Sequence, residues 1–358
     1  MSRIAVLARE LEGARRGVGR WLAEVLAEIA SIGRADEFTL FSEGPLEVPG
    51  FRVVATGPGP GGGSTAWEQF RLPSALATAR PKVVFGPAYS LPVLSRTPSV
   101  VAMHDLSFEA HPEWFSFSEG FRRRTLARWA SARARSILVL SRFGANELVR
   151  RYEVAPARIK LVGAGVSPRF QPQRDPGRVL ADPGRVILSV GSLFNRRRPA
   201  ELISGFGLAA RSHPDLRLVI VGDDRTYPPL DLKGLCREAG IERQTTWLER
   251  VSEDDLIALY SQAEVVVYFS DYEGLGLPPL EALGCGARVL ASSAPALAET
   301  LTGRATLLAQ VSAQDVADAL GSLLAAPIAP RERPGWLAEF SWRKTAMRVL
   351  EALDEAAR

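Results

Sequence analysis

Tyr272-Glu273-Gly274-Leu275-Gly276-Leu277-Pro278-Pro279-Leu280-Glu281-Ala282-Leu283-Gly284-Cys285-Gly286 is the stretch that decides the fold. It follows the apolar run Val265–Phe269 and passes straight into a helical pattern near 278–284, which predicts strand, turn and helix as one unit. Gly274 and Gly276 let the backbone approach a ligand with no Cβ in the way. Pro278 and Pro279 suit a first helical turn, where a missing N–H costs nothing. A helix that starts at the carboxyl edge of a parallel sheet offers amides and the positive end of its dipole to an anion. Glu273 and Glu281, eight positions apart, frame that turn. Carboxylates repel phosphate, so beside an anion site they make sense as acceptors from hydroxyls, which a sugar or ribose supplies. The plainer alternative is an ordinary strand-to-helix turn with a glutamate that serves the helix terminus.

The same rhythm extends outward in both directions. Upstream and downstream, strand candidates Val186–Val190, Leu216–Val221, Thr245–Leu248 and Arg288–Ala291 alternate with helical patterns near 199–212, 230–239, 253–262 and 313–324. The first half repeats it. Ile4–Ala8, Phe38–Phe41, Lys82–Phe85, Ser99–Met103, Ser136–Leu140 and Lys160–Val162 read as strands. Val18, Trp21, Leu22, Val25, Leu26 and Ile29, at steps of three and four, mark an amphipathic helix. Further helical patterns lie near 66–79, 117–133 and 142–152. The proline-rich, polar segment 167–177 has no hydrophobic period and reads as a linker. The expected organisation is therefore an N-terminal α/β domain over 1–170, a C-terminal one over 171–340, and a closing helix over 341–358 that packs back toward the first.

A chain of 358 residues suits two domains, and 46% hydrophobic with 23% charged residues excludes disordered and fibrous classes. Lys and Arg total 44 against 40 Asp and Glu, a net charge of +4 spread along the chain, which points away from nucleic acid and toward a phosphate-bearing ligand. Cys236 and Cys285 match no disulfide framework or metal spacing, so the expected compartment is the reducing cytoplasm and no metal site is expected. No run approaches the length of a spanning helix, and Ile4–Ala8 is too short for a signal segment. Gly57–Gly63 lacks the ending of a phosphate-cradling loop and reads as surface.

The quoted stretch resembles the Glu-x7-Glu motif of retaining glycosyltransferases of family four, which have the GT-B fold of two Rossmann-like domains facing each other across a cleft. Other segments resemble that family in the same order along the chain. They are Arg16-Gly17-Val18-Gly19-Arg20, Val101-Ala102-Met103-His104-Asp105-Leu106, Ser141-Arg142-Phe143, Val190-Gly191-Ser192-Leu193-Phe194-Asn195-Arg196-Arg197, Val219-Ile220-Val221-Gly222-Asp223, the approach through Val251, and Phe340-Ser341-Trp342.

The resemblance implies a role for each matching residue. Glu281 would bind the ribose hydroxyls of a nucleotide, and Glu273 would lie at the donor sugar. Gly274, Leu275 and Gly276 would offer amides, with Gly191 and Val251 nearby. Arg196 and Arg197 would neutralise the diphosphate as it leaves. Arg197 stands where the family usually has Lys, which keeps the charge but changes the contact geometry. His104 would contact the donor sugar, and Gly17 and Gly19 would face the phosphates or serve as a tight turn. Asp105 reads equally as an acceptor-side group or a helix cap. Asp223-Asp224 reads as strand-end structure.

The implied activity is metal-independent, retaining transfer of a hexose from a nucleoside diphosphate sugar, with no cofactor, to a glycan, lipid-linked or small-molecule acceptor. The His104-Asp105-Leu106 pattern ranks GDP-mannose ahead of UDP- or dTDP-sugars. The alternative is a GT-B partner subunit that binds nucleotide sugar without catalysis. Arg122, Arg123, Arg124, Arg128, Arg133 and Arg135 make one helix basic, either as a solvated face or as a peripheral contact with anionic lipid at the inner face of a membrane.

Overall fold

The computed structural model describes residues 3–13, 17–173, 179–180, 184–327 and 329–358. Arg16 and the linker residues 174–177 lie outside them. The chain forms two units, Met1–Gly165 with Phe340–Arg358, and Val166–Glu339.

The first unit is a seven-stranded sheet, parallel throughout. Its strands are β1 (Ile4–Leu7), β2 (Phe38–Ser42), β3 (Arg52–Ala55), β4 (Val83–Gly86), β5 (Ser99–Met103), β6 (Ser136–Val139) and β7 (Ile159–Leu161). Their order is β3-β2-β1-β4-β5-β6-β7. The second unit is a six-stranded parallel sheet of β8 (Arg185–Val190), β9 (Leu216–Val221), β10 (Thr245–Leu248), β11 (Val265–Tyr268), β12 (Arg288–Ser292) and β13 (Thr306–Leu308). Its order is β10-β9-β8-β11-β12-β13. Each order reverses once, between β1 and β4 and between β8 and β11. In such sheets the crevice beyond the carboxyl ends of those two strands is where ligands bind.

The central strands are apolar on both faces because helices cover both, as parallel sheets require. Ala5, Val84, Val101 and Ile137 anchor the first core, and Ile187, Leu218, Val267 and Leu290 the second; each is at most 1% exposed. Two strands escape the sequence pattern, β3 and β13. Both are edge strands of three or four residues, half exposed, and so lack the buried apolar run that marks the others. The helix Trp342–Ala356 lies against the helix Val18–Ser31 within the first unit, burying Trp342, Val349 and Leu353. Among the described residues no helix is long and apolar enough to cross a membrane.

Where β8 and β9 end, the chain comes unusually close to itself. Gly222 has φ +150°, and a Cβ there would lie 2.2 Å from the Gly191 carbonyl oxygen. Gly191 N–H donates to Val221 at 2.8 Å and Leu193 N–H to Asp223 at 2.9 Å, so backbone would have to yield. Gly222→Ala is expected to cost about 3 kcal/mol from overpacking plus backbone strain. Denaturant unfolding of the variant checks this, and an unchanged midpoint would show that the approach is not required.

Candidate functional site

The site is built where β8 and β11 end. After β8 the chain passes Gly191, at φ +122°, and forms a short turn, Asn195–Arg197, before the helix Pro199–Ala210. After β11 it forms the loop Phe269–Gly276 and then the helix Leu277–Gly284. Asp271 N–H donates to the Arg196 carbonyl at 2.9 Å, which clamps the arginine turn to the glutamate loop. Ser270, fully buried, pins that loop to the end of β12: its N–H donates to Ser292 Oγ at 2.8 Å, and Ser292 Oγ donates back to its carbonyl at 2.6 Å.

This scaffold brings Arg197 and Glu273 together. Arg197 Nη2 lies 3.2 Å from Glu273 Oε1, with the two side chains 15% and 11% exposed. The guanidinium stands 4.1 Å above the ring of Tyr268, the last residue of β11. Ser270 Oγ donates to the same Glu273 oxygen at 2.8 Å. A planar guanidinium can stack and pair at once, which a lysine cannot, so the Arg at 197 has a physical use here. Burial pushes the Tyr268 hydroxyl well above its ordinary range, so it stays neutral. Arg196 stacks 4.7 Å from the Phe194 ring. Arg198, at φ +52°, is committed elsewhere: its Nε donates to Asp271 at 2.9 Å and its Nη1 to Glu201 at 3.0 Å.

The helix Leu277–Gly284 has Gly276 as its N-cap, at φ +88°, where a Cβ would meet Leu297 Cδ2 at 2.4 Å. Pro278 and Pro279 remove two of the amides that a helix start ordinarily supplies. The N–H groups left at this loop and helix start are those of Gly274, Leu275, Gly276 and Leu277. Among the described residues none of these donates a backbone hydrogen bond in a loop or cap.

The two glutamates sit in different settings. Glu273 lies on an arginine, whereas Glu281 is only 2% exposed, with Tyr260 Oη 3.5 Å from its carboxylate. Cys285, one turn on, is buried and its thiol is pushed up to about 12, so it is no nucleophile. Val251 is half-buried beyond β10, just before Ser252, whose hydroxyl caps the helix Glu253–Gln262. Asp223 accepts from Ser192 Oγ at 2.5 Å and Arg225 Nε at 2.7 Å, and Asp224 from Thr226 N–H at 2.9 Å, which is strand-end structure.

In the first unit, His104 follows β5 and is 8% exposed. Its Nε2 lies 2.8 Å from the Pro87 carbonyl, which can only accept, so Nε2 carries the proton and Nδ1 is the acceptor. Burial lowers its pKa, and Trp21 meets the ring edge-on at 5.2 Å; the imidazole is neutral and held. Asp105 Oδ1 accepts from Ser107 N–H at 2.9 Å and Ser107 Oγ at 2.8 Å, just ahead of the short helix Ser107–Ala110, whose N-cap is Leu106. Gly17, at φ +45°, is the N-cap of the helix Val18–Ser31, but Gly19 is inside that helix. The expected two-glycine loop is thus reduced to Gly17 alone, because the helix begins earlier than the glycine pattern suggests.

Of the basic helix Phe117–Arg133, Arg123 pairs with Glu119 at 2.7 Å, Arg128 with Glu109, and Arg124 donates to the Phe108 carbonyl at 3.3 Å. Phe117 and Phe121 stack on its solvent face, 84% and 59% exposed.

Glu68 carries no sequence pattern that singles it out. It lies on a wide-wound helical segment, Trp67–Arg71, and accepts from Ser90 Oγ at 2.7 Å and Gln69 Nε2 at 2.8 Å. Burial nevertheless pushes its carboxyl up to about 7, the two hydrogen bonds only opposing this. The folded chain then binds more protons here than the unfolded chain between the ordinary glutamate range and pH 7, so this group's contribution falls as pH rises through that window. Glu68→Gln is expected to raise Tm at pH 8 by about 2–4 °C and to leave it nearly unchanged at pH 5. Calorimetry at the two pH values decides, and equal shifts would contradict the raised pKa.

The comparisons with known proteins agree with this architecture. Residues 172–335 match the family model described as "Glycosyl transferases group 1", and residues 15–170 the model described as "Glycosyltransferase Family 4". Each of the two models thus matches a little under half of the chain, one on either side of residue 171. It is 26% identical over 272 residues to the serotype-specific mannosyltransferase WbdA of Escherichia coli, covering 71% of this chain and 33% of that protein. It is 30% identical over 244 residues to the D-inositol 3-phosphate glycosyltransferase of Saccharomonospora viridis, covering 63% and 56%. The chain therefore spans between a third and about half of the length of these curated relatives.

Among solved structures, a sucrose-phosphate synthase of Thermosynechococcus elongatus superposes with a TM-score of 0.74 at 19% identity, over 100% of this chain and 96% of that one. Anabaena HepE, in complex with UDP and glucose, superposes with a TM-score of 0.77 at 16% identity, over 99% and 100%. These likenesses show the GT-B fold.

Proposed function

We propose that the protein is a retaining glycosyltransferase that moves a hexose from a nucleoside diphosphate sugar to a hydroxyl acceptor. The observation that carries the proposal is the Arg197–Glu273 pair at the β8/β11 reversal, assembled from segments far apart in sequence. The second unit holds the donor. Arg196 and Arg197 face the diphosphate, the N–H groups of Gly274, Leu275, Gly276 and Leu277 supplement them, and Glu281 accepts from the ribose hydroxyls. Glu273 exchanges part of its bond with Arg197 for a sugar hydroxyl as the donor enters, which leaves the arginine's charge for the departing diphosphate. In the first unit, His104 offers a neutral Nδ1 acceptor for a sugar hydroxyl.

The barrier is lowered by fixed cations placed where negative charge develops. With two arginines in that role, a divalent metal is not required in this reading. The acceptor hydroxyl enters from the face the diphosphate leaves, and the diphosphate takes its proton. GDP-mannose is the first donor to try, in keeping with a mannosyltransferase among the relatives. The two free, buried cysteines fit a cytoplasmic setting. The test is to incubate the chain with candidate donors and a hydroxyl-bearing acceptor mixture in EDTA, and to read nucleotide release and the product's anomeric proton by NMR. Retained anomeric configuration supports the proposal; inversion, or no release with any donor, opposes it.

A further inference from the structure

We propose that the first unit carries a second anion site, separate from the donor and acceptor residues, that takes a phosphoryl group. A cavity of about 220 Å³ lies beneath the connection from β4 to β5. That is space for on the order of seven water volumes, enough for a phosphate or a diphosphate. Arg96, Arg133 and Arg135 line it, together with Ser95, Thr97 and Ser99, and among the described residues no Asp or Glu does.

The three arginines are not used up locally. Among the described residues none of them forms an ion pair. Arg133 lies 5.9 Å from the ring centroid of Trp129, which also lines the cavity, and Arg135 donates from Nη1 to the Ala356 carbonyl at 2.8 Å. All three arginines are exposed, so water screens them from one another and an anion gains a modest attraction from each. Guanidinium forks joined by hydroxyl donors are the chemistry that recognises phosphoryl oxygens.

The place is distinct from the site already described. Ser99 opens β5 and accepts the Arg135 N–H at 2.8 Å, so the cavity lies at the amino edge of the sheet. His104 follows the last residue of β5, at the carboxyl edge. Five strand residues separate them, roughly 16 Å. Val93 and Leu94, 41% and 71% exposed, stand on the same connection, between the lining residues Pro92 and Ser95. The phosphoryl group can therefore come from a free metabolite or from a lipid headgroup, and the experiment separates these sources.

Equilibrium dialysis with inorganic pyrophosphate is run on Arg196→Ala/Arg197→Ala, which strips the donor-side diphosphate contacts, and on the same chain with Arg96→Gln/Arg133→Gln added. The prediction is that the first chain still binds pyrophosphate and that the second binds it about 100-fold more weakly, about tenfold per arginine. Arg96→Lys/Arg133→Lys keeps charge and should lose less, which separates ligand contact from misfolding. In a parallel arm the same chains are floated with phosphatidylglycerol or phosphatidylcholine vesicles. Loss of phosphatidylglycerol binding with the two Gln substitutions assigns the site to a lipid headgroup. Loss of pyrophosphate binding alone assigns it to a soluble phosphorylated ligand. If neither measurement responds to the Gln substitutions, the proposal is overturned.

Discussion

Arg197→Ala is expected to lower kcat by about 10²–10³-fold, the size of effect seen when one preorganised donor to developing negative charge is removed. Arg197 is held on two sides, by Glu273 at 3.2 Å and by the Tyr268 ring at 4.1 Å, so its charge is in place before the donor arrives. Alanine removes that charge, and it also leaves Glu273 facing the diphosphate uncompensated. The effect should fall on kcat more than on KM, because the arginine matters most when the anomeric bond is breaking and charge accumulates on the leaving group. Arg197→Lys separates the contributions. It restores the charge but not the planar stack on Tyr268, and is expected to recover only part of the loss. Steady-state kinetics with the cognate donor checks both variants. A kcat within threefold of wild type in the alanine variant would remove Arg197 from the chemistry.

Glu281→Ala is expected to weaken nucleotide binding by about 100-fold, with a smaller effect on turnover at saturation. A charged carboxylate that accepts from two ribose hydroxyls contributes about 1.5–3 kcal/mol per bond, and the two bonds are not fully additive. Glu281 is fixed on the helix Leu277–Gly284 and is almost wholly enclosed, so it loses little freedom when it binds. Glu281→Gln keeps the shape and one acceptor, and is expected to fall between wild type and alanine. Calorimetric titration of the nucleotide reads the effect directly, and a thermal unfolding scan of each free variant shows whether the fold is intact. If both variants bind nucleotide as wild type does, Glu281 is a structural residue of the helix and not a ribose contact.

How much of this was legible in the sequence follows from burial. The central strands of both sheets are buried on both faces, so each leaves a run of apolar residues such as Val265–Phe269 or Leu216–Val221. The edge strands β3 and β13 are half solvated and leave no such run. At the site, residue types in order along the chain pointed to Arg196, Arg197, Glu273 and Glu281. Their pairing did not follow from spacing, because Arg197 and Glu273 meet only once the order of β8 and β11 in the sheet is known. The roles of the three consecutive arginines were likewise hidden. Arg198 is drawn away by Asp271 and Glu201, one of which precedes Glu273 by two positions and the other of which lies on the arginine's own helix. Pro278 and Pro279 read correctly as helix-start residues, yet the same residues leave that first turn without two of its amides. Glu68 left no pattern at all, since its raised pKa comes from burial in a wide helical turn and not from neighbours in sequence.

The central claim is that the second unit binds a nucleoside diphosphate through Arg196, Arg197 and Glu281. The most direct test is a thermal-shift panel of GDP, UDP, dTDP and ADP, each with EDTA, on the wild-type chain and on Glu281→Gln. A ligand that binds only the folded chain stabilises it by about 2.7 kcal/mol at 100 times its dissociation constant. One nucleotide is expected to raise the midpoint in EDTA, and Glu281→Gln to reduce this rise. No shift with any nucleotide, or a shift that Glu281→Gln leaves unchanged, would contradict the claim.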